Sequence, residues 1–145
     1  MTLIIPGKPM GKQRPRVLKS GITYTPQRTV NYETLVKEIF ATECKLKKPS
    51  EKPIRLEIRA YFQMPQSISK KKREEMLKGK IRPTQKPDVD NIVKIIADAL
   101  NGLAYLDDKQ IISCNVEKYY SDTPRVEINI EEVIIPDDDY VFDRT

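Results

Sequence analysis

Residues 86–110 read KPDVDNIVKIIADALNGLAYLDDKQ, and this stretch decides how the rest of the chain is read. Asp88 and Asp90 are separated by one residue, and a helical pattern begins directly after them. Asp90 is placed to cap that helix at its N-terminus. On a wheel of 3.6 residues per turn, Ile92, Ile95, Ile96, Ala99 and Leu103 share one side, the side for a core. Asp90, Lys94, Asp98 and Asn101 share the other. Asn101-Gly102 ends the helix with a pair that tolerates left-handed backbone. Asp107 and Asp108 follow on a chain that can return toward Asp88 and Asp90. The spacing predicts three or four carboxylates and one lysine around a small volume.

Crowded carboxylates repel, so either some hold protons or a cation sits among them. Oxygen ligands without imidazole or thiolate suit Mg²⁺ or Mn²⁺. Such ions commonly serve phosphodiester hydrolysis. The chain contains no histidine, which excludes Ser-His triads and histidine-based zinc sites. Taken singly, each residue has a plainer reading. Asp90 is a cap, Asp107-Asp108 a turn, and Lys94 an i, i+4 ion-pair partner of Asp90 worth about 0.3–0.5 kcal/mol. The catalytic reading rests on their joint arrangement.

Working outward, the chain has 145 residues, 39% of them hydrophobic, which fits one domain with a modest core. No apolar run is long enough to span a membrane, and no signal peptide is visible, so a cytoplasmic protein acting at the nucleoid is expected. Cys44 and Cys114 are far apart with no CxxC pair, and two buried reduced thiols are expected. The net charge of +5 hides an asymmetry. Residues 1–86 carry 21 basic and 7 acidic side chains, and residues 131–145 carry six acids and one arginine. A basic body of this kind attracts polyanions, nucleic acid above all.

Before the central stretch, Thr2 to Ile5 reads as a short strand. Residues 7–16, GKPMGKQRPR, form an extended track in which Lys8, Lys12, Arg14 and Arg16 are set to meet a phosphate backbone. Val17-Leu18 and Ile22 to Tyr24 flank a hairpin turn. Thr25-Pro26 signals a helix start, and the helix runs to about Lys45, with Tyr32, Leu35, Val36, Ile39 and Phe40 as its apolar face. From Ile54 to Phe62 apolar and polar residues alternate, which predicts a central strand. Ser67 or Ser69 caps a short polar helix, and Lys86 continues the basic surface. After the acidic stretch, Ile111 to Tyr120 and Val126 to Ile130 read as two strands of one hairpin. Domain boundaries are drawn at 1–136 for the domain and 137–145 for an acidic, mobile tail. No glycine-rich phosphate loop occurs, so no nucleotide cofactor is expected.

At Asp88-x-Asp90-Asn91 with Lys94, then Asp98-Ala99-Leu100 and Leu106-Asp107-Asp108, the sequence resembles the RusA family of Holliday junction resolvases. Gly7-Lys8-Pro9 and the run Lys12 to Arg16 resemble that family's basic opening, so the likeness spans roughly residues 2–130. The resemblance implies a small homodimeric endonuclease that needs Mg²⁺ or Mn²⁺ and nicks two strands of a four-way DNA junction symmetrically. Asp88, Asp90 and Asp108 take the places of the metal-binding carboxylates, with Asp107 the alternative to Asp108, and Lys94 that of the catalytic lysine. Asn91, Asp98 and Asp107 take supporting places. Lys8, Lys12, Arg14, Arg16 and Lys86 are the expected DNA contacts.

The expected fold is α+β, one small mixed or antiparallel sheet with helices packed on it, in a homodimer. A structure-selective DNA-binding protein that does not cleave is the competing expectation. An enzyme acting on small phosphate esters fits the dispersed lysine and arginine less well.

Overall fold

The computed structural model describes residues 1–45, 48–134 and 136. The acidic tail lies outside the described residues. The described chain has strands β1 (Thr2–Pro6), β2 (Arg16–Val17), β3 (Thr23–Tyr24), β4 (Ile54–Gln63), β5 (Ile111–Ser121) and β6 (Arg125–Glu132). Its helices are α1 (Gln27–Glu43), α2 (Lys70–Leu77) and α3 (Val89–Leu100). The main sheet is mixed, in the order β1-β6-β4-β5, and β2 and β3 form a separate hairpin. The α+β expectation therefore stands.

β4 is the centre of this sheet. Ile54, Leu56, Ile58, Ala60 and Phe62 are buried, and the residues between them face the other side. β6 supplies Val126, Ile128 and Ile130 to the same core face, and β1 supplies Leu3 and Ile5. Tyr32, Val36 and Phe40 of α1 and Ile92, Ile95, Ile96, Ala99 and Leu100 of α3 cover that face. A buried isoleucine contributes about 1.5–3 kcal/mol by leaving water, so the apolar stripe of α3 seats it firmly. Leu103, expected on that stripe, lies past the helix end and is 37% exposed.

The expected β5–β6 hairpin is not formed. β5 pairs parallel to β4, with Leu56 opposite Cys114, while β6 pairs antiparallel to β4 on its other side. The three residues between β5 and β6 thus cross over the end of β4. Alternation fixes which face of a strand is buried but not which strand lies next to it. The burial pattern explains the result. β6 buries three large aliphatic side chains and sits inside the sheet, whereas β5 buries none fully and takes the edge.

Other local expectations shift by a residue or two. Asp88, not Asp90, occupies the N-cap of α3, and Asp90 stands in the first turn. Pro26 takes the N-cap place of α1, so Thr25 caps nothing, and α1 ends at Glu43. Ser69 caps α2 by accepting from Lys72 N. Asn101 has extended backbone, and Gly102, at φ +80°, supplies the left-handed turn. Cys44 is half-buried and Cys114 exposed, against the expectation that both are buried. Cys114 is exposed on β5, the edge strand of the sheet.

Candidate nuclease site

α3 is the axis of the site, and two concave surfaces open on its flanks. On one flank, Asp90, Lys94 and Asp98 follow one another at four-residue spacing, which aligns them on one helix face. With Asp108, Val93, Ala97 and Ile111 they line a groove of about 360 Å³. The groove joins the first acidic pair's Asp90 to the second pair's Asp108.

Asp108 reaches the groove because the chain after α3 is folded back and fastened. Tyr105 is fully buried, and its hydroxyl donates to the carbonyl of Ala97 at 2.6 Å. Gly102 N donates to Tyr105 O at 2.8 Å, closing the turn. Ser50 N donates to Ala104 O, and Leu106 N donates to Ser50 O. The Gln110 amide donates to the carbonyls of Ser50 and Lys52. Asp107 and Asp108 then part in role. The Asp107 carboxylate accepts from Lys109 N at 3.0 Å and Asp107 N donates to Gln110 Oε1 at 2.9 Å, forming a capping box on the short 3₁₀ turn Asp108–Gln110. Asp108 lines the groove.

The electrostatics follow this division. The backbone hydrogen bond from Lys109 and a hydrogen bond with Asp108 hold the Asp107 carboxyl below its ordinary pKa. The hydrogen bond with Asp107, slight burial and the charges of Asp107 and Asp98 push Asp108 upward. Asp98 is compensated from outside the groove: its carboxylate lies 3.3 Å from the Lys12 ammonium, which also meets Glu33 of α1 at 2.5 Å.

On the other flank, residues 8–13 cross the head of α3. Lys12 N donates to the carbonyl of Asn91 at 2.9 Å, and Gln13 N to the Thr29 hydroxyl at 3.4 Å. Gly11 makes this crossing possible. A Cβ there would stand 2.7 Å from the Pro87 Cβ and 3.0 Å from the Asn91 Cβ, closer than carbon atoms pack. Between this segment and α3 lies a second concavity, of about 410 Å³, where Lys8, Lys12, Arg28, Lys86, Asp88 and Asn91 meet.

The structure thus gathers Lys8, Lys12 and Lys86 with Asp88 and Asn91 on one flank, and Asp90, Lys94, Asp98 and Asp108 on the other. Asp88 does not line the groove of Asp90 and Asp108. Among the described residues no three acids or thiols stand close enough to form a metal cage. Arg14 and Arg16 are exposed, and Arg16 lines a neighbouring hollow with Tyr24 and Arg28. Sequence reasoning missed Arg28 and Tyr105. Arg28 sits in a helix first turn, where a cation carries no pattern of its own. The signal for Tyr105 was a large aromatic inside a tight turn.

The loop that brings Lys86, Pro87 and Asp88 to α3 is tied to β5. Arg82 Nε donates to the Lys118 carbonyl at 2.6 Å, and the Arg82 guanidinium lies 3.9 Å over the Tyr119 ring. The Lys118 ammonium donates to the Gln85 carbonyl. No helix among the described residues is long and apolar enough to cross a membrane.

Comparison with known proteins gives this arrangement a family. A protein of Bacillus subtilis (strain 168) named Uncharacterized protein YqaN is 39% identical over 132 residues, which cover 88% of this chain and 92% of that protein. The family model described as Endodeoxyribonuclease RusA matches residues 6–131, a span that holds both flanks of α3, the whole of β4 and β5 and all of β6 but its last residue, and leaves out β1 except Pro6. With both acidic pairs, the lysine between them and the basic opening inside the matched span, the chain belongs to the RusA family of endodeoxyribonucleases, which resolve Holliday junctions.

Proposed function

We propose that this protein is a Mg²⁺- or Mn²⁺-dependent endonuclease that acts as a homodimer and resolves four-way DNA junctions by paired, symmetric nicks. The observation that carries the reading is the groove in which Asp90, Lys94 and Asp98 of one helix face meet Asp108 from the returning chain.

The donor set fits the ion in kind. Every candidate ligand is a carboxylate oxygen, and Mg²⁺ is commonly held by one or two carboxylates, water and substrate phosphate oxygens rather than by a full protein cage. The proposed ligands are Asp90 and Asp108, which share the groove, together with Asp88 at the head of the same helix, which opens on the other flank. When bound, the ion supplies an activated water and neutralises charge on the phosphate. Lys94 projects from the same helix face as Asp90 and places a positive charge where the phosphate oxygens gather negative charge. Asp98 is held to Lys12, so it keeps the basic segment beside the groove. Asp107 fixes the turn that presents Asp108, which favours Asp108 over Asp107 as the ligand. Lys8, Arg14, Arg16 and Lys86 are the proposed phosphate contacts. Lys12 stands among them but is engaged with Glu33 and Asp98.

A second copy has a place to bind. β5 is an edge strand, and Ile112 on it is 59% exposed. Cys114 pairs with the core-facing Leu56 yet is itself exposed, so β5 presents apolar surface here on the core side of the sheet. A copy docked there adjoins the groove through Ile111, and a C2 pair of sites would make two symmetric nicks.

The test is incubation of the purified protein with a labelled four-way junction and with a matched duplex, in Mg²⁺ and in chelator. Paired nicks in the junction arms, in Mg²⁺ only, are expected. Junction binding without nicking in any divalent ion would instead make it a non-cleaving, structure-selective binder.

A further inference from the structure

Arg28 has no counterpart among the residues that the sequence pattern marks. It stands in the first turn of α1, exposed, with no acidic residue in that turn. It lines two adjoining hollows at once. On one side are Lys8, Lys86 and Asp88, and on the other Arg16 and Tyr24. Among the described residues no salt-bridge partner stands beside Arg28, Lys8, Lys86 or Arg16. Four cations without a salt bridge, from separate parts of the chain, therefore border two hollows that share Arg28 and Gln13 in their linings, with Asp88 the one acid among them. The position of Arg28 is fixed from below, since the next residue, Thr29, is fully buried and its hydroxyl accepts from Gln13 N.

Cations that outnumber the acids in a hollow repel one another, and a bound anion lowers that cost. The planar fork of arginine fits a phosphate better than a lysine ammonium does. We infer that Arg28 binds a backbone phosphodiester of the DNA strand that passes Asp88, with Lys8 and Lys86 on the α3 side of it and Arg16 on the other. The inference rests on the nuclease reading and deepens it: Arg28 becomes the central phosphate contact that sets where along the strand Asp88 falls.

The experiment measures the affinity of the full chain for a labelled four-way junction, in chelator, across a range of salt concentrations. Arg28→Ala is expected to weaken binding about tenfold and to reduce the slope of log affinity against log salt by about one. Arg28→Lys is expected to keep the slope and lose part of the affinity. Arg55→Ala, on the far face of the sheet, serves as the control for loss of one charge and is expected to stay within about twofold of wild type. Equal affinity and slope for Arg28→Ala and wild type overturn the inference, as does a loss no larger than that of Arg55→Ala. Calorimetry with inorganic phosphate at constant ionic strength is the second arm. A site for free phosphate shows a change there in Arg28→Ala with junction affinity intact, which overturns the inference as well. A wild-type protein that binds no DNA sinks the functional reading itself, a result distinct from any of these.

Discussion

The Lys12 ammonium lies 3.3 Å from the Asp98 carboxylate, which ties the basic opening of the chain to the acidic face of α3. Glu33 of α1 takes the same ammonium at 2.5 Å, so one lysine joins three segments. Burial alone would lower the Lys12 pKa, but hydrogen bonds to Glu33 and Asp98 outweigh it and raise the value. A raised lysine pKa means that the stabilisation is complete below the ordinary lysine value and is lost only as pH rises through the raised one. Lys12→Met leaves Glu33 and Asp98 uncompensated. It is expected to cost about 1–3 kcal/mol near neutral pH, read by urea denaturation. Because the ammonium is engaged within the protein, the salt slope of junction binding should change little. A slope reduced by about one would show instead that Lys12 leaves its partners for a phosphate.

Tyr105 is the fastening that sets Asp108 in its place. Its hydroxyl donates to Ala97 O from a fully buried position. Tyr105→Phe removes that hydrogen bond while keeping the ring, and is expected to cost about 1–2 kcal/mol. Tyr105→Ala also empties the ring's volume and is expected to cost about 3–5 kcal/mol. If the fastening serves the site, Tyr105→Phe lowers the cleavage rate at saturating Mg²⁺ while junction affinity holds. An unchanged rate in a folded, destabilised Tyr105→Phe protein would separate the fastening from the chemistry.

Asp88→Asn, Asp90→Asn and Asp108→Asn each remove one negative charge from the path of a phosphate. Junction binding in chelator is therefore expected to hold or tighten in all three. Cleavage in Mg²⁺ is expected to disappear. Asp107→Asn gives the contrast, since its carboxylate serves the turn, and cleavage there is expected to fall less than in Asp108→Asn. A wild-type cleavage rate in any of the first three variants removes that residue from the proposed ligand set.

Much of this arrangement was legible in the chain. The alternation from Ile54 to Phe62 and the stripe Ile92, Ile95, Ile96 and Ala99 place β4 and α3 in the core, because each period admits one buried face. Sequence spacing also put Asp90, Lys94 and Asp98 on one side of α3. It did not show that Asp88, two residues before, opens on the other flank, since an N-cap residue leaves the helical wheel. Nor did it show that β6 passes β4 to lie beside β1. That choice is made by non-local burial of Val126, Ile128 and Ile130, which no local pattern encodes. Lys12 had the composition of a phosphate contact, and only the fold revealed its two acidic partners.

Glu117 tests the anchoring of the 78–88 loop by pH. A hydrogen bond from the Tyr119 hydroxyl, with the Arg82 charge beside it, lowers the Glu117 pKa. A carboxylate with a depressed native pKa contributes stability above its unfolded value and loses it as pH falls through the native one. Urea midpoints of wild type and Glu117→Gln should therefore differ near neutral pH and converge in acid, below the ordinary carboxylate range. The site is exposed, so the gap is expected to be small. A gap that is the same at both pH values would show that Glu117 carries no charge-dependent role.

Ile112 tests the second copy. It lies on edge strand β5, 59% exposed, beside the end of the groove at Ile111. Exposed aliphatic surface on a sheet edge is a liability for a monomer and an asset for a subunit. Ile112→Glu places a charge in the middle of the proposed contact and meets its own copy across a two-fold axis, so the penalty is felt twice. Light scattering is expected to read a dimer for wild type and a monomer for the variant, with near-unchanged thermal stability at low protein concentration. Paired nicking should fall together with the dimer. A variant that stays dimeric and cleaves normally would move the contact off β5. A wild-type monomer that still makes paired nicks would end the homodimer proposal.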